Sequence, residues 1–349
     1  MITITLCMIV KNEEKILDRC LSCLRDLMDE IIIVDTGSVD KTREIAARYT
    51  DKIYDFRWVD DFAAARNFAF SKASGEYIYS ADADEVLDEA NRERFRLLKE
   101  SLLPEIEIVQ MYYCNQLKFG SVYNYDREYR PKLFKRVRAF TWIDPIHETV
   151  RTQPVVFDSD IEIRHEQEES HAKRDLAAFE RICGREGGLS ERLTDLYARE
   201  LFIAGGREDF LRAGDYFEKV CEEEGHSEAE LKKAFCVAAK AARFRGDLPG
   251  FFKYAMKAVA CGSCAEICLE LAYHYADAAD DNEAAVWFYN AAFETESILD
   301  IRCGGEKALL GLAEVYRRSG LEAEAGEYER MAAEYSSSMS ILTGVSLTI

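Results

Sequence analysis

The first hundred residues alternate between two periodicities, and that alternation limits the fold more than any other feature. Ile2-Thr3-Ile4-Thr5-Leu6-Cys7-Met8-Ile9-Val10 is a short apolar, β-branched run, the pattern of a strand buried on both faces. Lys11 to Met28 then places Ile16, Cys20, Leu24 and Leu27 at helical spacing. Glu30 to Asp35 predicts a second buried strand, Lys41 to Tyr49 a helix, and Lys52 to Phe56 a third strand. Phe62 to Ala73 predicts another helix, and Gly75 to Ser80 a fourth strand. Such alternation predicts an α/β domain with a mostly parallel sheet covered by helices. Ligands of these sheets sit at the carboxyl ends of the strands. Asp35 and Asp82 both fall just past strand ends.

From Pro104 to Ile163 the pattern changes. Ile106 to Cys114, Val122 to Tyr125, Lys132 to Val137 and Val155 to Ile163 predict further strands, some antiparallel. After His165 the strand signals stop and a helical repeat begins. Ala198, Ala239, Ala272 and Ala313 each precede a break by seven residues, at Gly205, Gly246, Ala279 and Gly320. The breaks lie 41, 33 and 41 residues apart. Ala284 and Ala325 follow the first alanine of the last two units by twelve residues; Phe210 and Phe251 hold that place in the first two. The spacing is a degenerate form of the tetratricopeptide pattern. The expected organisation is a sheet domain over residues 1–170 and an all-α domain of helical hairpins over 175–340.

Composition narrows the function. A length of 349 residues suggests about two domains. Lys and Arg number 45 against 65 Asp and Glu, a net charge of −20. That removes an overall basic footprint for nucleic acid. No apolar run approaches the roughly 20 residues of a membrane span. The apolar N-terminus is short, is followed by Lys11-Asn12-Glu13-Glu14, and lacks the pattern of a signal peptide. Eleven scattered cysteines then point to free thiols in a reducing, cytoplasmic setting. Cys20 and Cys23, and Cys261, Cys264 and Cys268, read as small buried helix residues rather than half of a zinc site. Dinucleotide, Walker, serine-hydrolase and zinc-protease signatures are missing.

The sharpest chemical feature is Asp82-Ala83-Asp84-Glu85 at the end of the fourth strand. Two carboxylates at i and i+2 can share one hard divalent cation such as Mg²⁺ or Mn²⁺. An isolated Asp-x-Asp is equally a solvated acidic loop, and only its context separates the two. Cys7-Met8-Ile9-Val10-Lys11-Asn12-Glu13-Glu14 follows the first strand. Val34-Asp35-Thr36-Gly37-Ser38 follows the second, and Asp61-Phe62-Ala63-Ala64-Ala65-Arg66-Asn67 the third. With four such segments in this order, residues 1 to about 170 resemble the family 2 glycosyltransferases of GT-A fold. The resemblance is closest to the bacterial branch with helical repeats behind the sheet domain.

The resemblance implies inverting transfer of a sugar from a nucleotide sugar, with a uridine diphosphate sugar as the expected donor. Ile9, Lys11 and Glu13 match positions lining the nucleoside, and Asp35 the acid that hydrogen-bonds the base or ribose. Arg66 matches an arginine beside the diphosphate, Asp82 the carboxylate nearer the ribose and donor sugar, and Asp84 a metal ligand. A diphosphate in so acidic a chain needs a cation to screen it. Each residue also has a plainer reading. Asp35 can cap its own turn, Arg66 can pair with an acid, and Asn12 can cap a helix.

Trp142-Ile143-Asp144-Pro145-Ile146-His147-Glu148 matches the segment that serves the acceptor in similar enzymes. An inverting enzyme needs a carboxylate to take the acceptor proton. Glu148 is the expected base, with Asp144 in reserve. His165, ending the last extended segment, matches a histidine that completes the metal site, and His171 competes with it. Arg130, in the basic stretch Arg127 to Arg138, matches an arginine that contacts phosphate or acceptor. Without the family, that stretch fits a solvated sheet edge protected by Lys and Arg.

The expected partners are therefore a nucleotide-sugar donor and, since helical repeats make concave surfaces for extended chains, a peptide or protein acceptor. A cell-surface glycan acceptor, and an inactive scaffold built on the same fold, are the alternatives. Neither nucleic acid nor stable membrane insertion is expected, and the repeats also allow a homodimer.

Overall fold

A computed structural model describes residues 1–114, 127–136, 142–143, 149–150, 155–166, 172–184 and 189–342. The chain divides into two compact units, Met1–Phe119 with Tyr125–Glu169, and Gly120–Asn124 with Ser170–Ile349.

The first unit is an α/β layer structure on an eight-stranded sheet. Its strands are β1 (Ile4–Val10), β2 (Glu30–Asp35), β3 (Ile53–Asp55), β4 (Tyr77–Ala81), β5 (Glu85–Val86), β6 (Ile108–Cys114) and β7 (Glu128–Lys135), with a separate pair β8 (Trp142–Ile143) and β9 (Thr149–Val150), and finally β10 (Val156–His165). The order across the large sheet is β3-β2-β1-β4-β7-β6-β10-β5. Strands β3, β2, β1 and β4 are mutually parallel. Beyond β4 the sheet is mixed. β7 runs antiparallel to both β4 and β6, β10 runs parallel to β6, and β5 pairs antiparallel at the rim.

The apolar run of β1 is buried on both faces because helices cover both. Ile4, Leu6, Met8 and Val10 pack with Leu17, Cys20, Leu21 and Leu24 of α1 (Leu17–Leu24) and with Phe95 and Leu98 of α4 (Glu89–Ser101). On the other face Cys7, Ile32, Val34 and Ile78 pack with Ala69 of α3 (Phe62–Lys72). The short α2 (Thr42–Ala46) follows β2. Alanines at 63, 65 and 69 let α3 lie close to the sheet.

Two expectations need correction, and one helix was not foreseen. The helix expected from Lys11 begins only at Leu17. Asn12 is left-handed, at φ 57°, and the chain around it is tied to the loop after β2. Asn12 N–H donates to Ser38 Oγ, Val39 N–H to Asn12 Oδ1, and Glu13 N–H to Thr42 Oγ1 at 2.7 Å. The basic stretch is not a sheet edge, because β7 lies between β4 and β6. Helix α4 has no counterpart in the sequence reading. The strand expected at Val122 to Tyr125 lies outside the described residues.

The second unit is helical from α5 (Ala172–Cys183) onward. Four hairpins follow: α6 (Glu191–Ala204) with α7 (Arg207–Val220), α8 (Glu228–Arg245) with α9 (Leu248–Ala260), α10 (Ala265–Asp277) with α11 (Asp281–Tyr289), and α12 (Glu306–Arg318) with α13 (Glu322–Leu342). The repeat residues hold two kinds of position. Ala198, Ala239, Ala272 and Ala313 are at most 1% exposed, and the twelfth-place residues Phe210, Phe251, Ala284 and Ala325 are fully buried. The break residues turn the chain. Gly246, Ala279 and Gly320 are left-handed at φ 77°, 58° and 78°, and the alanine among them bears a strain of about 1–2 kcal/mol. Gly205 is extended, at φ −71° and ψ 136°, but a Cβ there would meet the Leu201 carbonyl oxygen at 2.5 Å. Among the described residues no helix is long and apolar enough to cross a membrane.

Glu200 on α6 gives a stability test. It is 4% exposed. Burial raises its carboxyl to about 8, with Asp175 adding to the shift and Arg174 opposing it. The folded state therefore holds a proton that the unfolded chain releases near its ordinary value of about 4.3. Stability should fall as pH rises from about 4.5 to 8 and then level. Glu200→Gln removes that dependence. The variant should exceed the wild type by on the order of 3–5 kcal/mol at pH 8.5 and by little at pH 5 in urea unfolding. Parallel pH profiles for the two proteins would refute the assignment.

Candidate active site

Three loops gather at the carboxyl ends of the parallel strands. Strand order reverses at β1, since β2 lies on one side and β4 on the other. That is the switch point at which open α/β sheets leave a crevice.

Asp35 ends β2 and is 2% exposed. Its Oδ1 accepts the N–H groups of Gly37 and Ser38 at 3.2 and 2.9 Å, and its Oδ2 accepts from Arg43 at 3.1 Å. Burial alone would raise its carboxyl; the hydrogen bonds from Ser38, Arg43 and Gly37 outweigh that and hold it below the ordinary range. Asp35 does cap its own turn. Lys11 is exposed and Glu13 half-buried on the facing loop. Ile9 is half-buried and packs on the α3 side of the sheet.

Arg66 is presented by α3, whose start is fixed by Asp61 Oδ1 accepting from Ala64 N–H at 2.9 Å. The residue is 9% exposed. It donates to Ser80 Oγ at 3.0 Å and to Asp82 Oδ1 at 2.7 Å. Burial opposes ionisation of Asp82, but the charges of Arg66 and Lys132 hold its carboxyl well below the usual range.

Asp84 is 8% exposed. Its Oδ2 stands 2.8 Å from His165 Nε2. The pairing follows from topology: β5 and β10 are antiparallel, with His165 opposite Glu85. The resemblance grouped Asp82, Asp84 and His165 around one metal with Arg66 beside them; in the structure Arg66 meets Asp82 and His165 meets Asp84. Arg130 joins at one remove. Its guanidinium lies 4.2 Å from the centre of the Tyr113 ring, and that ring lies 4.9 Å from the His165 ring. Arg130 Nε also donates to Glu128 at 2.7 Å.

Sequence reasoning gave no role to Glu85 or Lys132. Lys132 Nζ donates to Glu85 Oε1 at 2.5 Å, and both side chains are almost wholly buried. Burial raises the Glu85 carboxyl to about 7; Lys132 opposes the shift, while Asp82 and Asp84 add to it. The signal lay in β7, where Arg130 and Lys132 are two residues apart. Asp144, Glu148 and His171 lie outside the described residues.

A divalent cation fits this arrangement. Among the described residues no three His, Cys, Asp or Glu side chains stand together as a complete metal site. Yet Asp84 Oδ1 is buried with no hydrogen-bond partner. A cation that also binds a diphosphate takes only one or two protein carboxylates. The other oxygen of the same carboxylate meets the His165 imidazole at 2.8 Å.

Residues 5–162 match the model of the family described as Glycosyl transferase family 2. This segment is a family 2 glycosyltransferase domain. The eight-stranded sheet has the α/β architecture expected of that family's GT-A fold. A TPR repeat-containing protein of Synechococcus elongatus is 47% identical over 87 residues, covering 25% of this chain and 22% of the relative. The SPbeta prophage-derived glycosyltransferase SunS of Bacillus subtilis is 38% identical over 92 residues, covering 26% of this chain and 22% of the relative. The lipopolysaccharide core biosynthesis glycosyltransferase LpsC of Rhizobium meliloti is 37% identical over 102 residues, covering 28% and 36%. The chain thus spans about a fifth to a third of the length of these relatives.

Proposed function

We propose that this protein transfers a sugar from a nucleotide sugar, of the uridine diphosphate class, with inversion and with help from Mn²⁺ or Mg²⁺. The observation that carries the reading is the meeting of Asp82, Asp84, Arg66 and His165 at the end of β4, inside a family 2 domain. Residues 1–170 are the catalytic part in this reading, and 175–340 the part that meets the acceptor.

Ile9, Lys11, Glu13 and Asp35 line the nucleoside. Arg66 and Arg130 face phosphate oxygens, and Asp82 faces the ribose and donor sugar. Asp84, Asp82 and His165 hold the cation. The leaving nucleoside diphosphate gathers negative charge as the glycosidic bond breaks. Arg66 is pre-set for that charge, since its partners Ser80 and Asp82 fix it before any ligand arrives. A bound divalent cation would supply Lewis-acid stabilisation of the same oxygens. Glu148, with Asp144 in reserve, takes the acceptor proton.

Helical repeats favour a peptide or protein acceptor. A glycan acceptor is the second reading, favoured by the lipopolysaccharide core role named for the Rhizobium relative. Calorimetry with uridine diphosphate tests the donor reading. Binding should be strong with Mn²⁺ and at least tenfold weaker in EDTA. Unchanged affinity in EDTA would remove the cation, and no binding in either buffer would favour an inactive scaffold.

A further inference from the structure

Asp82, Asp84 and Glu85 follow β4 directly, and each stands on a different base. Asp82 Oδ1 is 2.7 Å from Arg66 Nη2, Asp84 Oδ2 is 2.8 Å from His165 Nε2, and Glu85 Oε1 is 2.5 Å from Lys132 Nζ. The third pair is the most deeply buried, with side chains 2% and 6% exposed.

A local irregularity of β7 delivers the lysine. On β6, Val109 and Gln110 are consecutive, but they face Leu133 and Pro131 of β7, so Lys132 is an extra residue in the ladder. An extra residue of this kind bends a strand and re-aims a side chain, and such bulges recur beside active sites. The Lys132 ammonium lies 5.6 Å from the centre of the Tyr113 ring and 5.7 Å from that of Tyr79.

Stability does not account for the pair. Buried ion pairs are commonly matched or exceeded by apolar residues of similar volume. Here Glu85 Oε2 and the Tyr79 hydroxyl remain buried with no hydrogen-bond partner. Position gives a better account. Glu85 is next to Asp84 in sequence, and its backbone is in register with His165. An unpaired Glu85 carboxylate would stand beside the cation and the diphosphate. It would compete for the cation and repel the diphosphate.

We infer that Lys132 is a positioning residue of the donor site: delivered by the bulge in β7, its ammonium holds Glu85 away from the cation and the diphosphate and balances its charge beneath Asp82 and Asp84. This rests on the donor reading proposed above.

The test measures uridine diphosphate binding against Mn²⁺ concentration at pH 8, on proteins shown to be folded. Glu85→Gln keeps the shape but leaves the ammonium uncompensated beside the cation. The Mn²⁺ needed for half-maximal binding should rise about tenfold. Adding Lys132→Met restores the charge balance and should bring that requirement back to within about threefold of wild type, a non-additive pair. A merely structural pair would lower the melting temperature of both variants and leave the Mn²⁺ requirement of the folded protein unchanged. That result, or a double variant no better than Glu85→Gln, overturns the assignment. Asp84→Ala in the same assay separates the two readings. If it abolishes Mn²⁺-dependent binding while Glu85→Gln behaves as wild type, the role of Lys132 falls and the donor site stands. If wild type itself shows no Mn²⁺-dependent binding, the donor reading fails and the role of Lys132 with it.

Discussion

Asp84→Ala should lower sugar transfer by about 10³-fold or more while the protein stays folded. The size follows from what is removed. Lewis-acid stabilisation of a leaving diphosphate contributes several kcal/mol in the transition state, and each 1.36 kcal/mol is tenfold in rate. The fold should survive because the side chain supports little else. Asp84 Oδ2 touches His165 and Oδ1 touches no protein donor. The structural tie at this residue is its backbone carbonyl, which accepts from Glu166 N–H at 2.8 Å, and alanine keeps it. The measurement is donor turnover with Mn²⁺ beside a melting curve. A folded variant with wild-type turnover would refute the cation site.

Much of this site was legible because it is built from strand ends. The apolar runs of β1, β2 and β4 place Lys11, Asp35 and Asp82 at or just past their carboxyl ends, and a parallel arrangement puts those ends together. Period alone carries that far. It does not carry to β5, whose two residues Glu85 and Val86 carry no pattern, yet this strand sets His165 on Asp84. Nor does it reveal the bulge at Lys132, since one extra residue in a ladder depends on the partner strand. Helix α4 was hidden by its composition. Of its thirteen residues only Phe95 and Leu98 are buried large hydrophobics. The shortened α1 reflects a competition that sequence spacing does not record, between helix start and the interlocked loops of Asn12 and Ser38. In the second unit the small residues and breaks were readable, while the aromatics were less so. Nothing in the spacing separates Tyr254, which is 4% exposed, from Tyr289, which is 45% exposed.

Glu148→Gln should lower the turnover number by about 10²–10⁴-fold and leave uridine diphosphate binding unchanged. The inverting reaction sets the reason. The acceptor attacks the anomeric carbon from the side opposite the leaving diphosphate, so its proton must go to a base on the acceptor side. Glutamine keeps the size and polarity of glutamate and cannot take the proton. A turnover number that falls while donor affinity holds therefore separates a base from a binding group. Full activity in this variant would pass the role to Asp144, to be tested by Asp144→Asn. The pH dependence of the loss carries a second answer. A cysteine thiol ionises by itself near pH 8.5, and the thiolate needs no base. With such an acceptor the defect of Glu148→Gln should shrink steadily from pH 6.5 to 9. A serine, threonine or sugar hydroxyl does not ionise in that range, so the defect should stay constant. The same variant thus tests the base and reports whether the sugar goes to sulfur or to oxygen.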